Sequence, residues 1–198
     1  MPIEIPTNLT PELVPLSWLL GTWEGSGRLG EGAVDDEYFF QRVEFTENGQ
    51  PFVQYRAESW LVDEDGNVLR PLAVEQGFWQ LRREQVDADS GPGMVPSDVV
   101  PALRTADDVE QLRSADGFPI QANIVHPGGI SEMYYGTING PRVQLETEEV
   151  MRADGSKDYA HATRIYGLVN GELFWRWDSR PAGEDLAAHA SAVLKKQQ

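Results

Sequence analysis

Residues 161–178 read HATRIYGLVNGELFWRWD, and this stretch decides the fold class. Apolar and polar side chains alternate along residues 161–169 and 172–178, as expected for β-strands that bury one face. Asn170 and Gly171 separate the two runs, and an Asn-Gly pair supplies the positive φ angles of a tight hairpin turn. The stretch therefore predicts two antiparallel strands. The inner face should carry Leu173, Trp175 and Trp177, and the outer face Glu172, Arg176 and Asp178.

The same alternation and the same kind of turn recur along most of the chain. Residues 38–45 and 52–62 form a second predicted hairpin around residues 47–50, and residues 139–140 mark a third turn. Further strand candidates are residues 120–125, 130–138 and 142–150. Many short strands joined by tight turns, with almost no helix between them, predict an all-β fold. In this fold an antiparallel meander closes into a β-barrel.

The N-terminal region follows a different pattern. Residues 1–10 are interpreted as a loose arm that lacks the basic and apolar regions of a signal peptide. Thr10 suits the cap of a helix, and Pro11 and Glu12 suit its first turn. We therefore expect one short helix that ends before Gly21.

Composition and charge exclude several classes of partner and of metal site. The 198 residues include 40% hydrophobic and 24% charged residues, which fits one globular domain spanning residues 1–198. A formal net charge of −16 repels phosphate backbones and anionic lipids, so we expect neither a nucleic-acid nor a membrane partner. The absence of cysteine excludes disulfides and metal–thiolate sites. We expect a cytoplasmic protein, with a homodimer as one option for its assembly.

Residues 84–116 interrupt the strand pattern. This segment holds eight acidic residues against two arginines and contains three prolines. We expect an acidic surface insertion with one short helix capped near Thr105. A long hairpin connection would account for it, and so would a lid or an interaction element.

The chain has three histidines, His126, His161 and His189. Their spacing matches no multi-histidine metal site, and the sequence contains no phosphate-binding, dinucleotide-binding or serine-hydrolase motif. His189 stands among small residues, so a flat group could lie against its imidazole whether the segment is a helix or a strand. On the residues alone, a hydrogen-bonded structural histidine is the favoured interpretation.

Other conspicuous side chains receive structural interpretations. Arg164 alternates with apolar neighbours and is expected to pair with a carboxylate of the barrel. Trp18 and Trp23 are expected to close one end of the barrel as core residues. His126 is placed at the rim of the barrel, and His161 on its surface.

The chain resembles a known family from about residue 15 to its end. The motif Gly-x-Trp-x-Gly-x-Gly, formed here by Gly21, Trp23, Gly25 and Gly27, is similar to that of the nitrobindin family. Nitrobindins are ten-stranded haem barrels similar in shape to fatty-acid-binding proteins. The resemblance continues in the same order through residues 75–79, 126–132, 164–168 and 171–175.

The resemblance implies a cofactor and an activity. Nitrobindins hold haem b through a histidine near the C-terminus, and His189 stands at that position. They bind nitric oxide and isomerise peroxynitrite to nitrate, so His189 is the expected iron ligand and catalytic residue. Lys157 falls where some members place a lysine that reaches the haem edge or a propionate. The assignment to the peroxynitrite isomerases rests on this resemblance.

Three pocket positions depart from the family pattern. Ala73, Trp177 and Ser179 stand where many members have a histidine, a smaller aliphatic residue and a methionine, respectively. Such a pocket would also suit a haem-free, lipocalin-like barrel that binds a small apolar ligand. This binding module is the alternative to the enzyme.

Overall fold

A computed structural model describes residues 9–30, 37–89, 91–93, 100–181 and 183–197. Most of the N-terminal arm, residues 1–8, lies outside the described residues. The described part contains a 3₁₀ helix, a short α-helix and ten β-strands. In chain order these are the 3₁₀ helix (Pro11–Leu19), β1 (Gly21–Leu29), β2 (Glu37–Thr46), β3 (Val53–Val62), β4 (Val68–Leu81), α1 (Ala106–Glu110), β5 (Phe118–His126), β6 (Ile130–Asn139), β7 (Arg142–Arg152), β8 (His161–Val169), β9 (Glu172–Arg180) and β10 (Ala187–Lys196).

The ten strands form one closed antiparallel barrel. Each strand pairs with the next along the chain, and β10 pairs back with β1. The predicted all-β barrel with a short N-terminal helix is therefore confirmed. Every described strand has a paired neighbour on both sides, so none of them is an edge strand of the kind that templates aggregation.

Two glycines of the sequence motif make the closure sterically feasible. Gly25 pairs with Leu194, and Gly27 pairs with Ala192 across the β1–β10 seam. A Cβ atom on Gly25 would lie 2.2 Å from the carbonyl oxygen of Val193. A Cβ atom on Gly27 would lie 2.3 Å from the ring of Phe39 and 2.4 Å from a backbone oxygen of β10. The motif is thus explained by strand packing at the seam.

The 3₁₀ helix closes one end of the barrel. Leu13, Leu16 and Trp18 on this helix are buried, and Trp23 at the start of β1 is 1% exposed. The indole Nε1 of Trp23 donates a hydrogen bond of 2.6 Å to the carbonyl oxygen of Leu19, which ties the helix to the strand. The structure confirms that Trp18 and Trp23 are core residues at this end.

The described part of the acidic segment lies at the same closed end. Arg83 binds Glu12 of the 3₁₀ helix at 3.0 Å and Asp89 at 2.5 Å. Thr105 caps α1 through a reciprocal capping box, as the sequence predicts, and Val109 of α1 is buried in the hydrophobic cluster that includes the 3₁₀ helix. This part of the segment therefore packs on the helical plug, at the opposite end of the barrel from His189.

The inner face of β9 follows the predicted alternation with one exception. Leu173 and Trp175 are buried, whereas Trp177 is only half-buried. Trp177 lies near the open end of the barrel, where its ring borders a cavity. No helix among the described residues is long and apolar enough to cross a membrane.

We expect Gly25→Ala to destabilise the barrel by about 1–3 kcal/mol or more, because the added methyl group would collide with backbone atoms of β10. Gly91→Ala is the matched control, since a Cβ atom there meets nothing within 4 Å and its φ lies outside the left-handed region. This control should change the free energy of unfolding by no more than about 1 kcal/mol. Urea unfolding measures both, and equal midpoints for the two variants would contradict the steric account of the seam.

Candidate functional site

The open end of the barrel encloses a cavity of about 860 Å³. This volume lies within the range of about 300–1,000 Å³ that is typical of small-molecule and cofactor pockets. The walls come from β4, β5, β6, β9 and β10 and from the loop between β7 and β8. Apolar side chains that line the cavity are Pro71, Leu72, Val74, Pro127 and Ile130. A mostly apolar wall with a few polar groups suits a flat apolar ligand.

His189 reaches the cavity because β10 contains a bulge. Ala188 pairs with Asp178 and Ala190 pairs with Trp177, so His189 is an extra residue between two consecutive pairs of β9. The carbonyl oxygen of His189 accepts a hydrogen bond of 2.8 Å from the amide of Gly30. The sequence left helix and strand open for this segment, and the structure shows a strand. The bulge breaks the alternation that would otherwise turn His189 outward.

The imidazole of His189 is suited to act as a neutral nitrogen ligand. It contacts the ring of Trp177, with ring centroids 4.4 Å apart, and accepts or donates no hydrogen bond with any described residue. Burial lowers its pKa, and the positive charges of Arg164 and Lys157 lower it further. The side chain keeps accessible surface because it faces the open cavity. A deprotonated ring nitrogen is therefore available at neutral pH.

The structure brings His189 and Lys157 together at one cavity. Lys157 is exposed in the loop between β7 and β8, and it lines the cavity. The motif residues do not line this cavity and have structural roles at the seam and the closed end. These residues are Gly21, Trp23, Gly25 and Gly27.

A buried ion pair lies behind the cavity wall. Arg164 of β8 is 2% exposed and binds Glu75 of β4 through two parallel hydrogen bonds of 2.7 Å and 2.8 Å. Burial would raise the pKa of Glu75, but the charge and hydrogen bonds of Arg164 outweigh it and hold that pKa at about 2. The predicted pairing of Arg164 with a barrel carboxylate is confirmed. A pair of this geometry stays ionised inside the barrel.

A second carboxylate extends this ion pair into a network. Glu132 is 2% exposed, lies 3.6 Å from Arg164 and hydrogen-bonds His126 at 2.6 Å, as well as Tyr134 and Tyr159. Burial would raise the pKa of Glu132, but the hydrogen bond with His126 and the charge of Arg164 lower it overall. We call Arg164, Glu75, Glu132, His126, Tyr134 and Tyr159 the Arg164 network.

His126 links the Arg164 network to the cavity. Its Nδ1 lies 3.6 Å from Glu75, its ring is stacked on Trp177, and the side chain lines the cavity. His161 takes no part, because its Nδ1 pairs with Thr147 on another part of the barrel. The sequence did not single out Glu75 or Glu132. Both occupy inward positions of alternating strands, and this placement was the available signal.

The metal-binding side chains at the cavity suit a metal that is already coordinated by a cofactor. Among the described residues, no cluster of three or more histidine or acidic side chains could hold a metal ion. His189 offers a single nitrogen beside a large apolar space. A bare ion needs about four protein ligands, whereas a porphyrin supplies four nitrogens and needs one axial residue. The residues present therefore fit haem.

The comparison with protein families gives the same answer. Residues 12–196 match a family described as "THAP4-like, heme-binding beta-barrel domain". The chain belongs to this haem-binding β-barrel family. The resemblance to nitrobindins is thereby confirmed, and the family's cofactor agrees with the donor set of the cavity.

Individual members of the haem-binding β-barrel family are similar over almost the whole chain. A Renibacterium salmoninarum protein is 66% identical over 197 residues, which cover 99% of this chain and 94% of that protein. A Pseudarthrobacter chlorophenolicus protein is 64% identical over 200 residues, with 99% of each chain covered. Both are named peroxynitrite isomerase. The crystal structure of Rv2717c from M. tuberculosis gives a TM-score of 0.68 at 26% identity, covering 96% of this chain and 99% of that one.

We expect Glu75→Gln to lower the free energy of unfolding by about 3–5 kcal/mol at neutral pH, because it breaks a buried ion pair. The folded-state pKa of Glu75, about 2, lies below the ordinary value of 4.5. The stability from this carboxylate is therefore complete above the ordinary value and is lost as the pH falls from 4.5 towards about 2. Urea unfolding between pH 2 and pH 7 should show the difference between wild type and Glu75→Gln shrinking over that window.

Glu148→Gln, at an exposed position of β7, is the control and should stay within about 0.5 kcal/mol of wild type at pH 7. A difference between wild type and Glu75→Gln that is the same at pH 7 and pH 2 would refute the ionised state of Glu75.

Proposed function

We propose that this protein binds haem b through His189, binds nitric oxide and isomerises peroxynitrite to nitrate. The observation that carries the proposal is the neutral imidazole of His189, free of hydrogen bonds to described residues, at the wall of a cavity of about 860 Å³. Family membership supports haem, and relatives that are 60–66% identical are named peroxynitrite isomerase. A cytoplasmic location and a homodimer stay predictions.

The isomerisation does not require the protein to supply electrons or protons. Peroxynitrite and nitrate contain the same atoms and the same charge, so the conversion breaks an O–O bond and forms an N–O bond without net transfer of electrons or protons. When bound, ferric haem supplies a Lewis-acidic iron with one open position for a small ligand. The site therefore needs no docking surface for a redox partner.

The chain's own residues hold the cofactor and shape its surroundings. His189 would hold the haem iron through a ring nitrogen. The apolar walls, with Leu72, Val74 and Ile130, suit the porphyrin plane. Lys157 stands at the cavity and suits a propionate. The chain contains no cysteine, so it presents no thiol of its own to an oxidising substrate.

His189→Ala should abolish the iron–imidazole bond while the barrel stays folded, because a smaller side chain at an exposed strand position removes a ligand without overpacking. We expect wild type to gain a Soret band on addition of haemin, and the variant to bind haemin at least 10-fold more weakly. Free imidazole should restore part of the band, since the vacated space admits the missing ligand.

His161→Ala is the matched control, because this histidine lies outside the cavity. It should bind haemin and accelerate peroxynitrite decay like wild type. An unchanged spectrum in His189→Ala would disprove the ligand assignment. If wild type takes up no haemin, the haem-free barrel for a small apolar ligand replaces the enzyme.

Lys157→Gln should weaken haemin binding by a few-fold at low ionic strength and by less at high salt, since an exposed charge is strongly screened. Lys195→Gln is the control, because Lys195 is an exposed residue of β10 that lies outside the cavity lining. Haemin titrations at two salt concentrations make the comparison. Equal affinities for both variants at low salt would remove Lys157 from the binding site.

A further inference from the structure

Trp177 stands between His189 and the Arg164 network. The guanidinium carbon of Arg164 lies 4.4 Å from the centre of the Trp177 ring. The imidazole of His189 lies 4.4 Å from the indole, centroid to centroid, at an interplanar angle of 66°. His126 stacks on the same indole at 6.1 Å and 19°. The indole thus contacts both the cavity histidine and the buried arginine.

His189 packs against Trp177, whereas most metal-binding histidines are held by a hydrogen bond. A histidine that ligates a metal almost always donates its other N–H to a carboxylate, a carbonyl oxygen or water, and that bond fixes the ring orientation. The imidazole of His189 has no hydrogen-bond partner among the described residues. Its orientation therefore depends on the indole edge and face that it packs against.

The indole contacts His189 and Arg164 through its ring. The Nε1 atom of Trp177 is buried and has no acceptor among the described residues. By contrast, the neighbouring Trp175 donates its Nε1 hydrogen to Gln41 at 2.8 Å. The contacts that Trp177 makes with His189 and Arg164 therefore involve its aromatic surface.

The two buried carboxylates of the Arg164 network have hydrogen-bond partners other than His189. Glu75 accepts hydrogen bonds from Arg164 and Tyr55, whereas Glu132 accepts them from Tyr134 and Tyr159 and is hydrogen-bonded with His126. Neither carboxylate accepts a hydrogen bond from His189. The orientation of the imidazole is therefore not set by a charged acceptor.

We propose that Trp177 is a positioning residue for His189, which fixes the imidazole plane by an aromatic contact. The proposal rests on the proposed function in one respect, the ligation of haem by His189. It predicts that an aromatic ring at position 177 is required for tight haem binding, whereas the indole N–H is not.

The test compares variants of the full chain with and without a ring at this position. Trp177→Leu should release haem to excess apomyoglobin about 10–100-fold faster than wild type, the effect usual for loss of an outer-shell partner of a ligating histidine. Trp177→Phe should stay within about 3-fold of wild type, because it keeps a ring and removes an unpaired donor. Trp175→Phe, on the same strand but without contact to His189, is the control and should release haem at the wild-type rate.

A spectroscopic measurement separates positioning from stability. The iron–histidine stretching band of the ferrous protein in resonance Raman spectra should shift or broaden in Trp177→Leu and stay in place in Trp177→Phe. Urea unfolding verifies that each variant is folded, and Trp177→Met replaces the leucine variant if that one is not. A ring-free variant with the wild-type release rate and the wild-type band would overturn the proposal.

The apoprotein makes the proposal independent of haem. The ring protons of His189 should show a ring-current shift in proton NMR spectra of the wild-type apoprotein, and the shift should disappear in Trp177→Leu. If wild type binds no haem but the shift behaves in this way, the proposed function fails while the aromatic positioning of His189 stands. Identical His189 shifts in both apoproteins would overturn the positioning itself.

Discussion

Pairing between the first and last strands is the constraint on which the rest of the structure depends. A ten-stranded meander has two free edges until β1 and β10 meet, and Gly25 and Gly27 lie in this seam at positions where a side chain would collide with β10. Closure then converts one face of every strand into an interior. The same seam places the start of β10, with its histidine, over the open end of the barrel.

The interior is divided into three zones along the barrel axis. Aromatic residues such as Trp23 and Trp79 fill the closed end, and the Arg164 network occupies the middle. Beyond Trp177 lies the cavity, whose wall is mostly apolar. Charged side chains in the middle zone are tolerated because nearly every donor and acceptor is paired there, and the pairing fixes the strands that form the cavity wall.

The barrel could be predicted from the sequence because the signals for strands, turns and helix caps are local. Alternation and Asn-Gly turns fix strands and hairpins one pair at a time, and Thr105 marks its own helix cap. The partners of Arg164 were out of reach, because Glu75 and Glu132 come from strands far away in the chain. The strand position of His189 was ambiguous for a related reason, since an irregularity in pairing leaves no mark in hydrophobic periodicity. The haem contacts of His189 and Lys157 remain predictions, although both side chains line one cavity.

Because of the bulge at His189, ligand binding by the barrel depends on the number of residues in β10 as well as on the chemistry of its side chains. If β10 lost the single residue Ala188, His189 would pair with Asp178, and the imidazole would turn to the outer surface. The closing pairs from Ala190 onwards would be unaffected. Deletion of this one residue would therefore keep the fold but remove the imidazole of His189 from the cavity. Two homologues with the same motifs and nearly the same identity would then differ in ligand binding.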